Sequence, residues 1–170
     1  MLANSLKRHA SVIALLVSAC FLGTPAVSAD ENVRSTRIVN GEPVSAGAYP
    51  WMVEVRMQEE GEFGRICGGS LIHPQWVLTA AHCVADEETG QLKDAANFEV
   101  KLNHLRLDEE GEIIKIKRII LNTPPYSPKT TLDYDIALME LEKAATQSTV
   151  SLLSQKTADI PEGTQAVLTG

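Results

Sequence analysis

The chain is short of aromatic residues, basic residues and cysteine, and each shortage narrows what it can be. Phe, Trp and Tyr make up 5% of its 170 residues. Fifteen Lys and Arg stand against twenty-two Asp and Glu, a formal net charge of −7. That balance argues against a nucleic-acid binder, which carries a basic face. Three cysteines, Cys20, Cys67 and Cys83, are too few for a disulfide-dense miniature scaffold. No paired CxxC clusters point to zinc, so no metal and no cofactor is expected. No apolar run reaches the roughly 20 residues of a membrane-spanning helix. Internal repeats are lacking too. What remains is 44% apolar and 22% charged, an ordinary globular composition that excludes collagen-like, low-complexity and strongly disordered chains.

The N-terminus reads as a targeting segment. Lys7 and Arg8 precede a fourteen-residue stretch of apolar and small residues, 10–23, and Val27-Ser28-Ala29 precedes the first acidic residue, Asp30. A basic start, a short apolar centre and small residues before a cleavage point describe a secretory signal peptide over residues 1–29. Val17-Ser18-Ala19-Cys20 leaves a second route open, since it resembles the box at which bacterial lipoproteins are cut and lipidated on cysteine. The expectation is therefore a secreted protein, or alternatively one anchored through Cys20. Export leaves Cys67 and Cys83 in an oxidising compartment, where two cysteines most simply pair.

From Asp30 onward, strands and turns alternate. Trp51, Val53, Val55 and Met57 alternate with polar or flexible neighbours at the period of two expected for a half-buried strand. Residues 59–64 read as a charged loop to the next strand. Phe98, Val100 and Leu102 repeat the alternation; the parity then slips to Leu105 and Leu107, predicting a bulge or bend near Asn103-His104. Residues 113–121 and 136–141 are further aliphatic runs. Between them, 122–128 contains three prolines and cannot be a central strand. Short strands between turn signals, with no long helical period, predict an all-β barrel or sandwich.

The residues that carry chemistry stand in blocks. Arg37 precedes Ile38-Val39-Asn40-Gly41; Cys67-Gly68-Gly69-Ser70-Leu71-Ile72 follows, then Trp76-Val77-Leu78-Thr79-Ala80-Ala81-His82-Cys83, and finally Asp135-Ile136-Ala137-Leu138. In this order and with these gaps, residues 37–170 resemble the trypsin/chymotrypsin-like serine proteases. The resemblance implies an all-β, antiparallel six-stranded trypsin-like barrel over 38–160, preceded by an activation propeptide, 30–37. Residues 161–170 would be the opening of a second barrel, its first strand at Ala166–Gly170.

The same resemblance makes His82 the general base and Asp135 the carboxylate that orients it. Imidazole titrates near neutrality, so it can take and return a proton in one cycle. A carboxylate on its other nitrogen fixes the tautomer and stabilises the imidazolium. Asp133 competes with Asp135 on residue type, and the family pattern, which places the carboxylate directly before Ile-Ala-Leu, selects Asp135. His73 and His104 have no such context and are expected at the surface. The acidic stretch 108–112 does not follow an EF-hand spacing and reads as a solvated loop.

One element of the family pattern is missing. No serine after Asp135 has GDSGG surroundings: Ser148, Ser151 and Ser154 lack adjacent glycines, and Ser70 precedes His82 in a position where relatives carry a structural serine. Where many relatives have a cysteine, this chain has Ala166. The expectation is an N-terminal portion of a secreted serine endopeptidase, made as a zymogen and cut after Arg37 by an activating protease to free Ile38. Its partners would be protein or peptide substrates. Alone it would be inactive, poorly folded and prone to associate. The alternatives are a non-catalytic homologue acting as a binding module and an inert gene fragment.

Overall fold

The computed structural model describes residues 41–129, 132–153 and 160–169. Six antiparallel strands, β1 (Met52–Glu59), β2 (Glu62–His73), β3 (Trp76–Thr79), β4 (Phe98–Leu102), β5 (Glu112–Leu121) and β6 (Ala137–Leu141), close into a barrel in the order β1-β2-β3-β6-β5-β4. Pairing of β4 with β1 completes the ring, so no barrel edge is left unpaired. Among the described residues the only helical elements are two three-residue 3₁₀ turns, Ala81–Cys83 and Ala95–Asn97, and none is long and apolar enough to cross a membrane.

Alternation along the strands builds the core. Val53, Val55, Leu71, Val77, Phe98, Val100, Leu102, Ile114, Met139 and Leu141 are each at most 2% exposed and pack in one cluster. Gly69 is part of that packing by having no side chain. A Cβ there would lie 2.8 Å from Val77 Cγ1 and 3.1 Å from Leu78 O, so only glycine lets β2 approach β3 this closely.

The outward face of β1 and β4 is also covered. Antiparallel register sets Glu54 opposite Lys101, Arg56 opposite Glu99, and Glu99 opposite Lys115 of β5. Opposite charges therefore face each other across three strands. Arg56 Nη1 lies 2.6 Å from Glu99 Oε1 and Lys115 Nζ 2.9 Å from Oε2. His104 Nε2 lies 2.9 Å and Lys101 Nζ 3.8 Å from Glu54 Oε2. Lys101 Nζ also donates to Leu107 O at 2.9 Å, which draws the loop after β4 over this face.

Four expectations need correction. His104 is not a surface residue: its side chain is 9% exposed against Glu54, because the loop following β4 folds back over the β1–β4 charges. Leu105 and Leu107 do not continue an apolar strand face. Asn103 turns the chain with φ 57°, β4 ends at Leu102, and the two leucines are exposed. The charged loop at 59–64 shrinks to Glu60-Gly61, because Glu59 already pairs with Glu62. Both turn residues have positive φ, 51° and 93°, matching the twist of a tight hairpin. Residues 164–169, which include most of the expected further strand, form no strand; a strand needs a partner, and the closed barrel offers no edge. The three-proline segment lies between β5 and β6, outside the strands, as expected.

Removing the Glu54 carboxylate would leave His104 and Lys101 buried without their anion. Glu54→Ala should lower unfolding free energy by about 3–5 kcal/mol, whereas Glu62→Ala on the exposed hairpin should change it by about 0.5 kcal/mol or less. Denaturant titration of both variants checks this; equal midpoints would refute it.

Candidate active site

β3 ends at Thr79, whose hydroxyl donates to Gly68 O at 2.9 Å and holds the strand end against β2. The chain then enters the Ala81–Cys83 turn. Small residues make so abrupt a turn possible: Ala81, Cys83 and Val84 all point inward, and the N–H groups of Val84 and Ala85 both donate to Ala81 O. With its neighbours inside, His82 is turned out, its side chain 54% exposed. The Cys67–Cys83 disulfide expected from the sequence is formed and ties the turn back to β2. A bridge across a loop of this size contributes about 3 kcal/mol on the chain-entropy account.

Asp135 arrives from the opposite direction, just before β6. Leu132 and Tyr134 on its N-terminal side have φ of 57° and 60°, a left-handed conformation that bulky side chains seldom adopt. Each such residue costs about 1–3 kcal/mol. The N–H of Ile136 donates to Tyr134 O at 2.7 Å, closing a tight turn around Asp135.

The two arms meet. The backbone N–H of His82 donates to Asp135 Oδ1 at 2.8 Å, and ring Nδ1 lies 2.8 Å from Oδ2. An ionised carboxylate only accepts, so Nδ1 carries the hydrogen and the neutral ring holds its free lone pair on Nε2. Partial burial of Asp135 pulls its carboxyl upward. The hydrogen bonds from the His82 backbone and ring, with that from the Ala81 N–H, outweigh it and hold Asp135 below its usual range. The contact at Nε2 is Cys67 Sγ, 4.0 Å away, and not a serine hydroxyl. An imidazole so arranged can accept a proton at Nε2 and have the resulting cation stabilised through Nδ1.

The remaining candidates fall elsewhere. Asp133 is exposed and does not take the place of Asp135. His73 is exposed as expected, its Nδ1 accepting from the Gln75 N–H at 3.2 Å. Ser70 lies within β2 opposite Met52 and Leu78. The acidic stretch has structural partners: Glu109 accepts the N–H groups of Leu105 and Arg106 in its own loop, and Glu112, at the start of β5, accepts from Lys143 and Gln147 of the segment after β6. Cys67, His82 and Cys83 form the one cluster of metal-ligating residue types among the described residues, but with the sulfurs bonded to each other neither is a thiolate. Arg37, Ile38 and Cys20 lie outside the described residues.

A closed six-stranded antiparallel barrel carrying an Asp-oriented histidine at one end defines a barrel of the chymotrypsin-like peptidase type. Comparison with known proteins agrees: the family Trypsin matches residues 38–170, and the chain belongs to that family of serine proteases. It is 36% identical over 139 residues to Serine protease 28 of Mus musculus, covering 81% of this chain and 47% of that protein. With Trypsin theta of Drosophila melanogaster it shares 32% identity over 161 residues, 94% of this chain and 57% of that protein. With Trypsin 5G1 of Aedes aegypti it shares 35% over 139 residues, 80% and 48% of the two chains. The chain thus spans about half the length of the curated relatives it matches.

The depressed Asp135 carboxyl links the site to stability. A group whose pKa is lower folded than unfolded stabilises the fold above its unfolded value, and that contribution disappears as pH falls through the folded value. Asp135→Asn should therefore be less stable than the parent at neutral pH, with the gap closing in acid below the usual carboxylate range. Urea midpoints measured down a pH series test this; a gap independent of pH would contradict it.

Proposed function

We propose that this chain supplies the general base and the orienting carboxylate of a secreted serine endopeptidase, which hydrolyses protein or peptide substrates through an acyl-enzyme. The observation that carries the reading is the His82–Asp135 couple, the carboxylate bridging the backbone N–H and Nδ1 of the histidine at 2.8 Å each; an ionised carboxylate at Nδ1 favours the tautomer whose Nε2 accepts. In the reaction His82 takes the proton of a serine hydroxyl as it attacks the scissile carbonyl, then returns it to the leaving amine. Asp135 keeps the ring in register and offsets the imidazolium charge without itself taking the proton. The serine would come from outside these 170 residues. The protein would be made as a zymogen: a protease cuts after Arg37, and Ile38 becomes the new N-terminus. Family membership and the signal-like residues 1–29 support secretion.

Two measurements bear on this. Sequencing the transcript past the codon for Gly170 should reveal a GDSGG motif within about one further barrel, on the order of 100 residues. In parallel, a serine-reactive phosphonate should leave the 170-residue chain unlabelled, since a base needs a hydroxyl within about 3 Å. Labelling of the chain alone that vanishes in His82→Ala would place the nucleophile within it and overturn the assignment.

Processing has its own test. Secreted material should begin at Asp30, and material treated with a trypsin-like activator should begin at Ile38. Arg37→Gln should block the second cut while leaving the first. N-terminal sequencing that finds a lipid-blocked Cys20, or maturation at Ile38 in the Arg37 variant, would refute the corresponding step.

A further inference from the structure

The loop joining β4 to β5, residues 103–111, carries a basic residue at its crest. The Arg106 side chain is 41% exposed, and Leu105 and Leu107 on either side of it are exposed too. Exposed loop tips are where proteolytic nicking concentrates, yet the backbone of this one is tied down. We propose that the Arg106–Leu107 peptide bond is a guarded cleavage site for endopeptidases that cut after basic residues. Glu109 is the guard, and the turn it closes must open before the bond can be cut.

The guard acts on the bond from both sides. One oxygen of the Glu109 carboxylate accepts the N–H groups of Leu105 at 2.9 Å and of Arg106 at 3.1 Å. The Glu109 N–H in turn donates to Arg106 O at 3.1 Å. Beyond the bond, Leu107 O accepts from Lys101 Nζ at 2.9 Å. The arginine head is engaged as well, its Nε lying 3.3 Å from Asp108 Oδ1. An extended peptide is recognised through its main-chain hydrogen bonds. Here the N–H and C=O of Arg106 are both occupied within the loop, and the chain is bent into a turn. The same two N–H groups hold the Glu109 carboxyl below its usual range, so at neutral pH it is ionised and accepts.

Both ends of the loop are pinned to the barrel. The His104 side chain is buried against Glu54, and a Cβ at Gly111 would lie 2.5 Å from Leu102 O. The part that can lift is therefore the crest, by a local opening that leaves the strands in place.

The cut is a hydrolysis. The bond between the Arg106 carbonyl carbon and the Leu107 nitrogen breaks; the hydroxyl of water goes to the carbon and its other hydrogen to the nitrogen, with nothing oxidised or reduced. His82 would then lie on one piece and Asp135 on the other. The Cys67–Cys83 bridge falls within the first piece and cannot join the two. What still holds the couple together is strand pairing, β4 with β5 and β3 with β6. A nicked barrel stays whole while folded but, once unfolded, must reassemble from two chains, a concentration-dependent step. The guard thus keeps His82 and Asp135 on one chain. An activator of the class proposed to act at Arg37 would meet this bond as well, although the guard rests on the loop's own geometry and not on that reading.

Limited digestion of the full chain with a trypsin-class endopeptidase, followed by mass spectrometry of the pieces, tests this. Each cut has its own pair of masses, so cleavage after Arg37 and after Arg106 are read separately. Glu109→Ala should speed the cut after Arg106 by about 5–30-fold, because cleavage tracks the open population when opening and closing are fast. Glu109→Gln keeps an acceptor oxygen and should fall between that variant and the parent. Glu110→Ala, which removes the neighbouring carboxylate, should leave the rate unchanged, and Arg106→Gln should lose this pair of pieces alone. In native buffer the nicked pieces should co-elute on gel filtration, and in urea without reductant they should part. An unchanged rate in Glu109→Ala, an equal gain at every basic residue, no cut after Arg106 in any variant, or pieces that part without urea would overturn the proposal.

Discussion

The arrangement depends first on one register, the antiparallel pairing of β3 with β6 that sets Thr79 opposite Ala137. Antiparallel strands put the end of one beside the beginning of the other. His82 lies three residues past Thr79, and Asp135 two residues before Ala137. The same end of the ladder therefore delivers both, although they are 53 residues apart in the chain. A slip of one residue would move every β6 side chain to the other face and carry Asp135 out of reach. Pairing on both sides guards against that: β3 is held by β2 through Ser70–Leu78 and Leu71–Val77, and β6 by β5 through Ile119–Met139 and Ile120–Leu138.

A strand of four residues, β3, is a weak support by itself, and three further constraints hold it. Gly69 lets β2 come close. The Thr79 hydroxyl bonds across to Gly68. The disulfide joins β2 to the turn just past the strand. The glycines, threonine and cysteines of the two motif blocks thus do one job, fixing where the His82 backbone sits. On the other arm, strain at Leu132 and Tyr134 is offset by the paired strand that follows and by the hydrogen bonds Asp135 receives.

Much of this was legible in the sequence because it is local. The alternation of Val53 and Val55, or of Phe98, Val100 and Leu102, needs no partner to be recognised, and the motif blocks name His82, Asp135 and both cysteines. What escaped depends on closure. Glu54, Lys101 and His104 look like three polar residues on different segments until β1 meets β4. Only then does the register put carboxylate against ammonium, and the loop after β4 bring the imidazole onto the same carboxylate. Along β5, isoleucines at 113, 114, 116, 119 and 120 fit either face. The register break between Ile116 and Arg118 decides it, burying Ile114, Ile116 and Ile119 and exposing Ile113 and Ile120. The Glu60-Gly61 turn was hidden by charge, which marks exposure and does not count turn residues.

The way His82 is oriented also follows from how little of the site is buried. With the His82 side chain 54% and the Asp135 side chain 35% exposed, water screens the attraction between them, so Coulomb energy alone would be a weak positioning force. Direction comes instead from hydrogen bonds that only one pose satisfies. Asp135 spans the backbone N–H and the ring nitrogen of the same residue, so rotating the ring breaks one bond while the other keeps the carboxylate where it was. The Ala81 N–H adds a further donor from the same turn. Because the backbone N–H is set by the turn, and the turn by β3 and the disulfide, the orientation of the imidazole is inherited from the barrel.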